Sequence, residues 1–334
     1  DSYKLNVVRI LKTKKLLRTY YRDGLRGYRL TARAKTALCS NNPERFSFAL
    51  TGSAETNLVK SEITRRLRLH RVAETTVTMM NAGVQIHRDE KPDVFSPDRE
   101  ENIRLSIKAP AFYNSREIKE MGTVFTKIRG ARSVGVLLTL ADVFVVYNLG
   151  NALMKWEYKS EMRTKALMKT VLCRERLPNQ YSPDSIQGLI FGNSMDLAYE
   201  LLKCKGGKQY FILDGNYEHF YYLTNDRQGE KLLRLLCSRT QTERLENILY
   251  DGLYESEFAN FECDAVDGNG NPVLLSFFCD LPRIKRFDTA LQLQNKNGTL
   301  ICFDFQREAL ERYCSKQITF QTIDFQKWER SFFE

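Results

Sequence analysis

Histidine is nearly missing from this chain, and several arrangements that commonly carry chemistry are missing with it. Three His in 334 residues give little support to a nucleophile–histidine triad. They also fail to supply the His cluster that a relaxase would set beside a nucleophilic tyrosine, although Tyr20 and Tyr21 stand together. The eight cysteines show no CxxC pair, which excludes the usual zinc frameworks and reads as small buried hydrophobes in a reducing compartment. There is no GxxxxGK[ST] run and no GxGxxG after a strand, so neither a P-loop nor a dinucleotide fingerprint is present. No apolar run is long enough to cross a bilayer, and the first thirty residues are too charged for a secretory signal. The expectation is a soluble, cytoplasmic protein with no membrane partner, no metal and no cofactor.

What is present is a strongly uneven charge. Residues 1–35 hold eleven Lys and Arg against two Asp, a local charge of +9, whereas the whole chain carries +10. The other 299 residues balance 40 basic side chains against 39 acidic ones. Like charges crowded in one segment repel unless a polyanion neutralises them, so the segment reads as an electrostatic footprint for nucleic acid. An apolar fraction of 43% is that of a globular protein, and the length calls for two or three domains. The first residue is Asp rather than Met, as in a fragment or processed chain.

The basic segment reads as helix, strand, turn, strand, helix. Ser2 can cap a helix whose apolar side is Leu5, Val7, Val8, Ile10 and Leu11. LLRTYY and GYRLT flank Asp23-Gly24, a hairpin signal, and Thr31 stands where an N-cap would start the next helix. This order resembles the second half of a winged helix-turn-helix, whose recognition helix enters the major groove while a basic hairpin reaches flanking phosphates. The DNA-binding candidates are therefore Asn6 and Arg9 for base edges and Lys12, Lys14 and Lys15 for phosphates. Arg18, Arg22, Arg26 and Arg29 decorate the wing, with Arg22 and Arg26 at its tip. The earlier helices of the motif are not in the sequence.

Residues 55–82 lack Pro and Gly and predict one long helix or two, closed by Gly83. Its Arg65, Arg68 and Arg71 share a face and are expected to meet acidic residues elsewhere; His70 is read as structural. A polar, acidic stretch around RDEKPDVFSPDREEN marks a loop. From about residue 110 short strands and helices alternate. SVGVLLTL with DVFVVYNL and FECDAV with PVLLSFFCD read as hairpins, the latter around DGNGN. A third hairpin is expected from KQYFILD and HFYYLTN, and the chain closes as strand, helix, strand. Hairpin-then-helix units near residues 133, 208 and 261 hint at repetition without matching in sequence. The fold class is α/β (α+β), a partial winged helix followed by a mixed α/β body. The expected domains are a head over 1–52, a lobe over 53–190 and a second lobe over 191–334.

The wing ending GYRLT, the run SREIKEMG ahead of IRGARSVGVLLT, and DVFVVYN followed by MKWE together resemble the replication-relaxation family of plasmid and integrative or conjugative element proteins, over residues 1–175. The resemblance implies a winged-helix head on a restriction-endonuclease-like body acting in replication, relaxation or transfer of mobile DNA. It implies double-stranded DNA as partner, with further copies of the chain or other replication and transfer proteins beside it.

A nuclease of that fold needs a carboxylate on one strand and Glu-x-Lys on the next to hold Mg²⁺ and activate water. Asp142 with Glu157 and Lys159 is the candidate set, although a Glu at a helix start is expected on dipole grounds alone. The later hairpin offers Asp264 and Asp280 with Lys285, but Ser276 stands where a second carboxylate would be needed. Asp264 and Asp267 are equally explained as turn formers. The leading expectation is a non-catalytic DNA-binding protein; a Mg²⁺-dependent nuclease and a protein-binding scaffold with a basic head remain the alternatives.

Overall fold

The computed structural model describes residues 2–22, 24–50, 63–96, 105–119, 131–204, 213, 215–255 and 262–333. They fall into two compact units, Asp1–His70 with His87–Pro92 and Arg71–Ile86 with Asp93–Glu334.

The first unit opens with helix α1 (Ser2–Thr13), the antiparallel strands β1 (Leu17–Arg22) and β2 (Leu25–Leu30), and helix α2 (Ala32–Asn41). Arg18 pairs with Arg29 and Tyr21 with Arg26 across the hairpin. Thr31 closes it as expected: its hydroxyl accepts from the Ala34 amide at 3.3 Å, capping α2, and donates to the Lys15 carbonyl at 2.7 Å. Lys15 ends α1 in the left-handed region, φ 54°, with the Leu16 amide donating back to the Leu11 carbonyl at 2.8 Å. That is the helix-ending turn glycine usually makes. Helix α3 (Pro43–Leu50) is tied to the turn Arg88–Glu90 by Arg45, which donates to Asp89 at 3.0 Å and holds that carboxyl below its ordinary range.

Helix α4 (Ile63–Asn81) contributes to both units and ends at Gly83, φ 84°. The expected start at residues 55–62 lies outside the described residues, as does the side chain of Arg65. Arg66 on this helix donates to the Leu25 carbonyl at 3.2 Å.

The second unit is a three-layer α/β body with two sheets. The first contains β3 (Ala111–Asn114), β4 (Gly135–Leu138), β5 (Val143–Gly150), β6 (Ile186–Gly192) and β7 (Phe220–Thr224) in that order. β3, β4 and β5 run antiparallel, whereas β5, β6 and β7 run parallel. Crossovers are made by α6 (Tyr158–Thr170) and α7 (Met195–Lys203); the short α5 (Ser115–Ile118) follows β3 behind a full capping box. The second sheet contains β8 (Ala265–Val266), β9 (Pro272–Leu275), β10 (Gly298–Phe303) and β11 (Ile318–Ile323), with β8–β9 antiparallel and the rest parallel. Its helices are α10 (Leu281–Gln294), α11 (Asp304–Glu311) and α12 (Phe325–Phe333), and α8 (Arg227–Leu236) and α9 (Arg239–Leu249) lie between the sheets in sequence.

Strands with both faces covered explain the near-continuous apolar runs of the sequence. Along β5, Val143, Val145 and Tyr147 enter one core while Phe144 and Val146 enter the other, and β10 divides Leu300 and Cys302 from Ile301 and Phe303 in the same way. The first core takes residues of α7 and α10, and the second takes residues of α4, α8 and α12. Backbone bonds join the sheets where the Tyr222 amide donates to the Cys279 carbonyl at 3.1 Å.

Two sequence expectations change here. HFYYLTN supplies a parallel strand beside β6, and most of its expected hairpin partner, KQYFILD, lies outside the described residues. The first sheet thus extends beyond residue 190, and the unit division follows His70 rather than residue 52. The repetition is carried by topology instead: hairpin, helix, parallel strand, helix, parallel strand, helix occurs from β4 to α8 and again from β8 to α12. The final helix α12 was not expected, although the Asp324 carboxylate accepting from the Lys327 amide at 2.9 Å is an ordinary start signal; α10 follows the hairpin near residue 261 with Pro282 in its first turn.

Candidate functional site

The basic unit places its candidates on a continuous helix–hairpin segment. Asn6 and Arg9 are exposed one turn apart on α1, and the Arg9 guanidinium donates to Asn6 Oδ1 at 3.0 Å. Lys14, Lys15, Arg18 and Arg26 are exposed. Lys12 lies 5.1 Å over the Tyr28 ring and Arg29 lies 5.2 Å over Tyr20. On the outer face of the hairpin, Tyr21 and Tyr28 are 69% and 45% exposed beside Arg26. The side chain of Arg22 and the turn residue Asp23 lie outside the described residues.

Cations without a described carboxylate partner are dense in this segment, whereas the α/β body mixes such residues, Lys159, Arg163 and Lys285 among them, with ion-paired arginines. Lys4, Arg9, Lys12, Lys14, Lys15, Arg18 and Arg26 make no ion pair with a described carboxylate. In the α/β body, Arg227, Arg239, Arg283 and Arg312 each meet one at 2.5–2.9 Å. Arg18 and Arg29 are direct cross-strand neighbours, an arrangement of like charges that destabilises a bare hairpin.

The candidate nuclease set does not assemble. Asp142 precedes the first residue of β5, in the hairpin turn, where it accepts from Gln187 Nε2 at 3.1 Å. Glu157 follows the last residue of β5 as the exposed N-cap of α6, and Lys159 is exposed on that helix. The start of α6 is fixed beside Tyr147, whose hydroxyl donates to Glu161 at 3.0 Å. Tyr147 is five residues up the strand from Asp142, or roughly 16 Å at the usual strand rise. The buried carboxylate in this region is Glu161, which also accepts from the Arg132 amide at 2.7 Å. Among the described residues no group of three His, Cys, Asp or Glu is placed to hold a metal ion.

A different constellation does converge. A cavity of about 390 Å³ lies at the N-terminal ends of β5, β6 and β7 and the C-terminal end of β9. It brings together Asp142, Gln187, Tyr221, Asp264, Ser276 and Asp280. Asp264 accepts from the Leu275 amide at 2.7 Å and from Arg283 at 2.8 Å. Asp280 meets His219 Nδ1 at 2.7 Å, a bond that raises the imidazole pKa against the opposing effect of burial. Burial pushes the Asp142 carboxyl up, opposed by the charges of His219 and Arg239. Lys285 is not in this wall; it borders a separate hollow with Tyr199 and Arg312. Gln187 and Tyr221 were not singled out in the sequence, where each is one polar position inside an apolar strand.

Comparison of the chain with protein-family models, with curated proteins and with solved structures finds no match. Among the described residues no helix is long and apolar enough to cross a membrane.

Proposed function

We propose that this protein binds double-stranded DNA through its basic unit, with α1 as recognition helix and the β1–β2 hairpin as wing, and that the α/β body serves assembly rather than cleavage. The observation that carries the reading is the set of exposed cations on α1 and the hairpin that have no carboxylate partner among the described residues. Such a surface gains free energy when phosphates replace its condensed counter-ions. Asn6 and Arg9, coupled on one exposed turn, are the base-edge pair; Lys14, Lys15, Arg18, Arg22 and Arg26 are the five phosphate contacts. The resemblance of its sequence to replication-relaxation proteins supports a role in the replication, relaxation or transfer of a mobile element, in the cytoplasm. The mixed five-strand sheet with helices on both faces is compatible with the restriction-endonuclease-like body that the resemblance implies. The separation of Asp142 from Glu157 argues against that body cutting DNA with this residue set.

The test is a fluorescence-anisotropy titration of a mixed-sequence duplex at about 50 and 200 mM salt. Five neutralised phosphates give a log–log slope of about −4.5, an affinity loss of roughly 500-fold over that range. Arg22→Ala with Arg26→Ala should lower the slope by about 1.8 units. An unchanged slope in that double variant would remove the hairpin from the interface, and no binding at low salt would reassign the basic unit to protein recognition.

A further inference from the structure

The cavity in the α/β body has a chemical character opposite to that of the basic unit. Three of its five wall carboxylates have partners: Asp264 pairs with Arg283 at 2.8 Å and Glu243 with Arg239 at 2.7 Å, both within the wall, and Asp280 is hydrogen-bonded to His219 Nδ1 at 2.7 Å. The other two, Asp142 and Glu246, have no cation within ion-pairing distance among the described residues. Burial raises the pKa of both, and the neighbouring Asp264 and Glu243 add to the rise at Glu246. A site with this excess of negative charge repels a phosphate and attracts a cation.

The amide oxygen left over in the wall has the same sense. An ionised Asp142 can only accept, so the Gln187 amide must turn its Nε2 toward it, at 3.1 Å; Gln187 Oε1 is then a buried acceptor with no partner. Ser276, 2% exposed, also has an Oγ with no partner. Buried polar atoms left this way cost about 1–3 kcal/mol each until something bonds them. Gln187 Oε1 calls for an N–H donor, and the Ser276 hydroxyl can accept one or donate its own proton. The remaining wall is aromatic. Tyr221 meets Phe144 edge-on at 5.9 Å and Phe278 at 5.8 Å, and Phe277 packs on Phe278 at 4.6 Å. Such rings favour a flat or alkyl cation, and the volume of about 390 Å³ fits a small molecule. The absence of a metal-type cluster among the described residues turns the choice from an inorganic to an organic cation.

We propose that this cavity binds a small organic cation of the guanidine or primary-amine class. Its charged head is held at the Asp142–Gln187 pair with Glu246 adding to the field, and its stem lies against the Phe144–Tyr221–Phe278 wall. Ser276 accepts a further donor from the ligand. The site needs no part of the DNA-binding unit, so it stands whether or not that unit binds DNA.

The experiment is isothermal titration calorimetry of the whole chain with agmatine, which carries a guanidinium at one end and an amine at the other, and with AMP as an anionic, aromatic contrast. Agmatine is expected to bind with Kd at or below about 1 mM. Asp142→Asn and Glu246→Gln should each weaken it about tenfold, the loss of one charge-assisted contact. Asp142→Asn preserves an acceptor for Gln187, and Glu246 is only partly buried on α9, so each variant checks the other; their unfolding midpoints confirm the fold. The proposal is overturned if neither agmatine nor butylamine gives heat at that concentration, if AMP binds more tightly than agmatine, or if folded forms of both variants bind agmatine as the parent does.

Discussion

Replacing Lys15 by glycine should separate the stability of the basic unit from its affinity for DNA. Lys15 is held at φ 54° by the turn that ends α1, with the Leu16 amide on the Leu11 carbonyl and the Thr31 hydroxyl on its own carbonyl. A left-handed backbone costs an L-residue roughly 1–2 kcal/mol, and the extra freedom of glycine in the unfolded chain takes back about 0.4–1 kcal/mol. The net expectation for Lys15→Gly is a gain of about 0.5–1 kcal/mol, because no hydrogen bond in the turn uses the lysine side chain. Both tryptophans, Trp156 and Trp328, belong to the other unit, so the gain is best read by hydrogen exchange across residues 2–41. Exchange should slow about two- to fivefold if it proceeds by opening of this unit. The same substitution removes one phosphate contact. The salt slope should fall by about 0.9, and affinity near 0.1 M salt by about eightfold. A variant that is less protected would refute the reading of the turn, and one with an unaltered salt slope would refute Lys15 as a phosphate contact.

Further outcomes follow from the body. The His219–Asp280 bond raises the histidine pKa above its ordinary value near 6.5, so its contribution is complete below that value and is lost as pH rises through the raised one. The urea midpoint read by tryptophan fluorescence should therefore fall from about pH 6 to about pH 8, and a fall of equal size in Asp280→Asn would refute the assignment. A Cβ on Gly188 would stand 1.6 Å from the Phe220 ring, itself stacked on Tyr217 at 5.2 Å. Gly188→Ala should cost about 3 kcal/mol by denaturant unfolding, and a loss under about 1 kcal/mol would mean that β6 and β7 separate readily. Duplex DNA incubated with Mg²⁺ or Mn²⁺ should remain intact on a denaturing gel, because Asp142 and Glu157 lie toward opposite ends of β5. Cleavage abolished by Asp142→Ala would contradict that.

Much of the local structure was legible in the residues. The β-branched and aromatic run LRTYY beside Asp-Gly, the threonine at 31, the glycine at 83 and the DGNGN turn each specify a backbone state through their own side chains. In that last turn Asp267 accepts from the Asn269 and Asn271 amides at 2.8 and 2.9 Å, so the turn forms from five neighbouring residues. The residues left open the choices that depend on distant partners. HFYYLTN has the composition of either hairpin or parallel strand, and its described pairing is settled by β6, more than twenty residues away. Glu157-x-Lys159 has the local spacing of a nuclease motif, yet the residue that matters to the packing is Glu161, selected by Tyr147 across the core.

By itself the sequence determined the charge asymmetry, the helix–hairpin–helix order of the basic segment, and the alternation of strands and helices in the body, because charge, turn chemistry and hydrophobic period are properties of neighbouring residues. Only the tertiary structure decided that Asp142, Gln187, Tyr221 and Ser276 share one cavity, and that two stretches unlike in sequence have the same topology. Strand order and parallel register are set by burying both faces of a sheet at once, a condition that many apolar sequences satisfy and no short window contains.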